Sequence, residues 1–599
     1  MIFLNGHGRS AVPDYSIDMY GQGPVMSQSA ACGFVADVYP DTPVFGTFAY
    51  LFGEVPEMPH SPESTAALDM LGDAMVEQVA LPENDSSVPP VFTYLGQFID
   101  HDVTANTDRE TGLSLIDMPQ VDPVPRDRVA SGLGNLRAGA LNLDSLYGGG
   151  PVQGDFANRM VDALRFPRDR AKLWAGTVVD LGLGDTPFPT NKNDDLARDV
   201  LRAGRVIGQP DSPFTEDEIR ALPEELRRIF VNDDGAIRVQ RAILGDMRND
   251  ENLIVSQLHL GFVRFHNRVV DAADAHGGPT HDREALFRWA RAEVRAIYQW
   301  IVLNEYLPAV CDPQVVATVQ RAWAPLYANF AADNPAPRPD LLPVPLEFSA
   351  AAFRFGHSMV RARYDWSRFF GRAVAGENNF SERATFRQLF QFTGGAEPPM
   401  EVPGFGPQPR LPSHWAAEWD RLVGPVTEAL PDRAARRIDT ALAEPLNDMV
   451  NEEEGTQGVL KRLARRNLRR GHRLNLPSAQ DCIAAIERRI GVVIDPLSKD
   501  ELIAGETGEP LLAGGFVART PLWYYVLREA EVKGRDDRLG PLGSRLVAET
   551  LTGLVINDTS SYWHRPGSDD GRWHPRDGVR PAGEPVTGIA PLLRAALLL

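Results

Sequence analysis

Two carboxylates bracket one imidazole at Asp100-His101-Asp102, the end of the run Phe92-Thr93-Tyr94-Leu95-Gly96-Gln97-Phe98-Ile99-Asp100-His101-Asp102. Read as a helix, successive side chains point about 100° apart, so the three groups face three directions. Gln97, four residues before His101, shares its face. Leu95, Phe98 and Ile99 anchor the segment in a core. There a carboxylate costs desolvation energy unless a cation, a metal or a covalent bond partners it. An imidazole held in such a place can move protons. Taken alone, the run reads equally well as a surface helix end with incidental charges.

Other residue pairs have useful spacings. Arg248 and Glu251 are three apart and share a helical face, where a surface ion pair is the plain reading. Arg354 and His357 are also three apart, and Gly356 between them lets a flat group approach the backbone. His259 and His266, seven apart, share a face, but no third metal ligand stands near them in sequence, so they read as core or capping histidines. Leu141–Tyr147 alternates and runs into Gly148-Gly149-Gly150. This suits an extended segment whose carbonyls and carboxylate converge on a hard cation, or a simple strand and turn. Arginines 462, 465, 466, 469, 470 and 473 form one helical stripe in an otherwise acidic chain, which fits a solvated or anion-facing surface.

The elements that must position these groups are mostly helical. The chain has 599 residues, 43% hydrophobic and 24% charged, enough for a large core. Its net charge of −20 argues against general nucleic-acid binding. No apolar run reaches the roughly 18–20 residues of a membrane span. The opening Met1–Arg9 lacks the features of a secretory signal, leaving the cytoplasm or export by another route. Three cysteines, Cys32, Cys311 and Cys482, do not make a disulfide framework. Residues 1–60, rich in Gly and Pro, read as an irregular arm, and a helix is expected from Ser61 to Val79. Val121–Arg137 reads as loop, and 155–235 as short polar helices and loops broken near Pro187–Pro189. Ile243–Asp274 is the strongest helical text, followed by Arg283–Leu307. Proline-rich connectors at 324–345 and 398–412 flank Phe348–Arg361. Further helices are expected at Pro431–Val450, Lys461–Arg473, Leu522–Glu531 and Leu542–Val555, with a loop-like tail from Arg565 and a short apolar end. The fold class is mainly α with little β-structure.

In order and spacing, these runs resemble the animal-type haem peroxidases, the peroxidase–cyclooxygenase superfamily that includes myeloperoxidase and lactoperoxidase. Gly96–Asp102 resembles that family's distal motif, and Gly245–Glu251 its catalytic-arginine segment. Phe353–His357 resembles the proximal-histidine helix, and Arg466–Pro477 the segment that backs the proximal histidine. The likeness runs from about residue 90 to 555. It implies a single large haem-peroxidase domain over 61–560, between the arm at 1–60 and a tail at 561–599, which it leaves unexplained.

The resemblance implies haem b as cofactor and hydrogen peroxide, with small donors or halides, as substrates. His101 would be the distal base, Arg248 the charge stabiliser during O–O cleavage, and Gln97 the residue that positions distal water or an anion. His357 would be the axial iron ligand, with Arg354 on a haem propionate. Asp100 and Glu251 match the carboxyls that esterify haem methyl groups in mammalian members. Asn252 stands where myeloperoxidase has its sulfonium-forming methionine. Asp102 matches a calcium ligand, with Ala138, Ala140, Asn142 and Asp144 at the second ligand set, although an Ala and an Asn stand where the family has Thr and Asp. Gln480 aligns with the asparagine that bonds the proximal histidine. Cyclooxygenases carry a radical-forming tyrosine where this chain has Arg354, so lipid dioxygenation, as in the fatty-acid dioxygenases, is disfavoured. A non-catalytic haem-binding or adhesion module is the other alternative. The few cysteines point to a bacterial form, and oligomeric state is open.

Overall fold

The computed structural model describes residues 45–599 except 78–83, 107–112, 114, 151–154, 180–195, 211, 372–380, 395–408, 428–429, 450–451, 453–454, 536 and 570. The Pro187–Pro189 break, most of the 398–412 connector, Cys32 and the first 44 residues of the arm lie outside that set. Nine helices carry the argument. They are α1 (Ser64–Ala74), α2 (Val91–Val103), α3 (Asp144–Tyr147), α4 (Leu253–Asp271), α5 (Arg283–Ile301), α6 (Leu463–Arg473), α7 (Leu522–Lys533), α8 (Pro541–Asn557) and α9 (Ile589–Ala595). Strand β1 (Gly46–Ala49) pairs antiparallel with β2 (Gly134–Asn135) and parallel with β3 (Val344–Pro345). Strands Arg363–Tyr364 and Ala384–Thr385 form the second small sheet. The fold is mainly helical, as expected.

Burial follows the hydrophobic pattern. Helix α2 buries Phe92, Tyr94, Leu95, Phe98 and Ile99 on several faces, because it runs through the core and packs on α4. Phe98 stacks on Phe262 of α4 with ring centroids 4.9 Å apart. Helix α4 starts where the Asn252 side chain accepts from Val255 N at 3.0 Å, a local N-cap. Helix α5 does not stop at Ile301 but widens into a π turn over Val302–Tyr306. That turn sets Tyr306 against α2, where a Cβ on Gly96 would lie 2.5 Å from the tyrosine hydroxyl. Gly96 is required by that close approach.

Several expectations need correction. The arm does not end outside the fold at residue 60: Phe48, Leu51 and Phe52 are buried and β1 is the middle strand of its sheet. The short apolar end of the tail is helical: α9 buries Leu592 and Leu593 against α4, and the Ala596 carbonyl accepts from Arg264. One hydrophobic cluster runs from Phe48 to Leu598, so packing shows no break at 61 or 561. Residues 141–147 are not extended: Leu143 takes a left-handed conformation (φ 57°) and opens α3, because its neighbours close a turn onto Asp102. Pro431–Val450 is not a helix but two short 3₁₀ turns and isolated β-bridges to the segment at 76–85. Pro445 and bridge pairing at Arg436 and Leu442 override helical spacing there. The Val121–Arg137 loop holds a short helix at Arg126–Gly132 and strand β2. The His357 segment is a 3₁₀ helix, Ala352–His357. Helix α1 ends at Ala74, short of Val79. Among the described residues no helix is long and apolar enough to cross a membrane.

Candidate active site

His101, Arg248, Gln97, Asp100, Glu251, Arg354 and His357 all line one cavity of about 270 Å³. They come from α2, the 3₁₀ turn Met247–Asp250, the start of α4 and the 3₁₀ helix Ala352–His357. Residues separated by more than 250 positions therefore face a common space. No sequence spacing shows this convergence.

On one wall His101 is 4% exposed, and its Nδ1 lies 2.8 Å from Asn249 Oδ1. The Asn249 amide nitrogen in turn lies 3.1 Å from His259 Nδ1. The consistent assignment has His101 Nδ1–H donating to Asn249, whose NH2 donates to a neutral His259. This leaves a lone pair on His101 Nε2. That nitrogen is 4.0 Å from Glu251 Oε2. Burial and the Arg248 charge hold His101 below the ordinary imidazole range, against the pull of Glu251, Asp246 and Asp100. His259, pushed down to about 3 by burial, is a neutral relay member rather than a metal ligand. His266 is equally buried, with Tyr147 Oη 2.9 Å from its Nδ1 and the Ala171 carbonyl 2.9 Å from its Nε2. Both are core histidines, as their spacing suggested.

Arg248 is not a surface ion-pair residue. Its Nε and Nη2 donate to the buried Asp246 carboxylate, and Nη2 also donates to the carbonyls of His101 and Thr104 at 3.0 and 2.8 Å. The guanidinium is clamped by Nε and Nη2, with Nη1 outside these bonds. Arg137 shares Asp246 and donates to the His101 carbonyl at 3.0 Å. Two arginines hold the Asp246 carboxyl far below the usual range despite burial. Gln97 donates to Glu251 Oε2 at 3.2 Å and accepts from Asn252 at 3.0 Å, so Asn252 both caps α4 and fixes Gln97. Asp100 accepts from Thr104 at 2.9 Å and lies 3.8 Å from Arg354 Nη1. Burial raises its pKa, but Arg354, His101 and Arg248 outweigh that and keep it ionised.

On the other wall, His357 Nδ1 lies 2.9 Å from the Asn467 amide nitrogen on α6; turning that amide so that its oxygen takes the place lets Nδ1–H donate and leaves a lone pair on Nε2. Burial, with Arg354 and Arg466 nearby, pushes His357 down to about 3, so it is a neutral imidazole. The expected partner, Gln480, is elsewhere: it donates to Thr520 and Val517 and accepts from Thr520 N. The orienting amide is thirteen residues earlier, on the helix that faces the histidine. A Cβ on Gly356 would meet nothing within 4 Å, leaving open space beside the histidine. Arg466 and Arg470 line the same cavity, with Arg466 bonded to Glu452 at 2.8 Å. Two imidazoles, an open slot beside Gly356 and a cationic rim fit a flat, dianionic iron porphyrin.

The calcium set fares differently. The Asp102 carboxylate accepts from Leu143 N and Ser145 N at 2.9 and 3.2 Å. The Ala138 carbonyl accepts from Leu342 N and the Ala140 carbonyl from Asn142 N. Arg291 stands 3.6 Å from Asp144, and Arg295 donates toward Asn142 at 3.4 Å. Asp102 is raised to about 7 by burial and by the neighbouring Asp144. Backbone amides and guanidinium groups are the present partners of these oxygens, and the adjacent buried Asp102 and Asp144 carboxyls are the only acidic members of the set. Among the described residues no group of three or more His, Cys, Asp or Glu is arranged to hold a metal.

Residues 214–399 match the profile described as Animal haem peroxidase. The chain is 38% identical over 122 residues to a peroxidase-like protein of Margaritifera margaritifera, covering 20% of this chain and 14% of that protein. The matches span only 14 to 38% of the length of the first curated relatives. These relatives are animal proteins and lend no support to a bacterial source. Peroxidase A from Dictyostelium discoideum is similar over 91% of this chain and 95% of that one, at 16% identity and a TM-score of 0.49. Oryza sativa fatty acid alpha-dioxygenase is similar over 91% and 87%, at 11% identity and a TM-score of 0.48. Likenesses at this level say nothing about which chemistry the chain performs.

Proposed function

We propose that this chain is a haem-dependent peroxidase that reduces hydrogen peroxide at the expense of small donors or halides. The observation that carries the reading is the His101–Asn249 bond, which directs one imidazole lone pair away from the core on a cavity also lined by Arg248 and His357. His357 Nε2 would hold the iron, with Asn467 orienting the ring. Arg354, Arg466 and Arg470 would face the propionates. When bound, haem supplies an iron that accepts peroxide and the two electrons that break its O–O bond, later restored by donors or a halide. His101 Nε2 takes the proton from the attacking end of the peroxide and returns it to the departing oxygen. Arg248 stabilises the charge on that oxygen, and its clamp to Asp246 means little reorganisation is needed. Gln97, held by Glu251 and Asn252, positions water beside the base.

Asp100 and Glu251 line the cavity, and their carboxyl groups would be the ones to form ester links with haem methyls. If the links form, haem stays with the protein on acid–acetone extraction; its release into the organic phase counts against them. The test of the main reading is an absorption spectrum of haem-loaded protein before and after a stoichiometric peroxide pulse. A rapid spectral change, slowed in His101→Ala, is expected. A haem complex indifferent to peroxide would favour a haem-binding module, and peroxide-independent oxygen uptake on a fatty acid would favour a dioxygenase.

A further inference from the structure

Outside this cavity a second pair of histidines is built to hold something. His60 Nδ1 lies 3.3 Å from His472 Nε2, joining the chain before α1 to the end of α6 across 412 residues. The other nitrogen of His60, Nε2, lies 3.2 Å from Asp122 Oδ1. Gln120 donates to that same oxygen at 2.7 Å, and Arg473 donates to the Asp122 carbonyl at 2.7 Å, so the carboxylate is itself fixed. Asp122 therefore assigns the His60 proton to Nε2 and leaves the lone pair on Nδ1, aimed at the second ring. His472 has a further hydrogen bond to the Val121 carbonyl.

We propose that His60 and His472 chelate one divalent transition ion of the zinc class through Nδ1 and Nε2, with solvent completing the shell. Two nitrogens at about 2.0–2.1 Å from a tetrahedral ion are roughly 3.3–3.4 Å apart, the separation seen here. A carboxylate on the far nitrogen of a ligating histidine is the usual outer partner of such a ligand, fixing its tautomer and raising its basicity. The His60 side chain is 33% exposed, so the ion has an entry path and room for water. Imidazole ligands select zinc, copper or nickel over calcium or magnesium. The ion would clip the segment before α1 to the helix that carries Asn467.

The competing arrangement is a plain N–H···N bond from His472 to His60 with no metal. Calorimetric titration of tag-free, chelator-treated full-length protein with Zn2+ at pH 7.5 separates the two. One equivalent bound at micromolar affinity is expected, weakened at least tenfold by His60→Ala and by His472→Gln, and about tenfold by Asp122→Asn. Copper titration read by electron paramagnetic resonance should show splitting from two nitrogens, reduced to one in either histidine variant. Absence of stoichiometric Zn2+ binding, or binding unchanged in His60→Ala, overturns the proposal. His60 is partly exposed and its replacement leaves the core untouched, so the outcome does not depend on refolding. None of these readouts passes through peroxide chemistry.

Discussion

The two walls of the cavity each set an imidazole against an asparagine side chain. Each presents an imidazole whose Nδ1 is pinned by an asparagine amide, Asn249 for His101 and Asn467 for His357. At His101 the amide oxygen takes Nδ1–H and leaves a lone pair on Nε2, whereas at His357 the amide nitrogen faces Nδ1, and Nε2 gains its lone pair once Asn467 turns its oxygen to that nitrogen. What differs is the charge around the ring. His357 is flanked by Arg354, Arg466 and Arg470, which add to burial and depress it to about 3. His101 has Arg248 on one side but Glu251, Asp246 and Asp100 on the other, so its depression is partly cancelled. A ring among cations stays neutral over a wide pH range, as the ligand role proposed for His357 requires. A ring among mixed charges can take up a proton and give it back. The comparison teaches that the electrostatic surroundings of the two rings suit them to the different roles proposed for them, although the residue type is the same.

The sharpest way to break this comparison is to remove each ring. His357→Ala should abolish stable haem retention, read as loss of the haem band after gel filtration of reconstituted protein. His101→Ala should keep the band but slow the peroxide reaction by about 10²- to 10⁴-fold in stopped flow. Equal behaviour of the two variants would erase the distinction between the walls. Next come the pinning amides. Asn467→Ala should lower haem affinity or activity by about 10- to 100-fold. Gln480→Ala, whose amide serves Thr520 instead, should leave the haem spectrum unchanged. Reversal of that pair would return the orienting role to Gln480. The smallest effect is in pH. His101 must be neutral to act as base, and its pKa is lowered, so activity persists below the ordinary imidazole value of 6.5 and falls only as pH drops through the depressed value. Asp246→Asn removes an anion that favours the charged ring, so the acid limb should move further down. An acid limb above 6.5 would contradict the cationic influence of Arg248.

Much of this arrangement was legible beforehand, and the gaps have physical causes. The helices α2, α4, α5, α7 and α8 follow apolar spacing, because their burial is along one continuous stretch of chain. Segments of buried arginine and proline, such as 431–450, obey long-range bridges and so escaped periodicity. Asn249 sits in plain sight between Arg248 and Asp250, but only contact with His101, 148 residues away, gives it a role. Gln480 and Asn467 are both amides near α6, and alignment by sequence cannot say which one reaches His357. The surroundings of the proposed calcium set were hidden for the same reason: Arg291 and Arg295 come from α5, far along the chain from Asp144 and Asn142.

What the sequence by itself determined is the chemistry at hand: an imidazole next to carboxylates, an arginine, a second imidazole beside glycine, and helices amphipathic enough to carry them. Those properties are local, set by residue type and by spacing within a few turns. Which charges surround each imidazole, and which carboxylate meets an arginine, was decided only by tertiary structure. Burial and charge act through space, and the groups that set them arrive from the far ends of the chain.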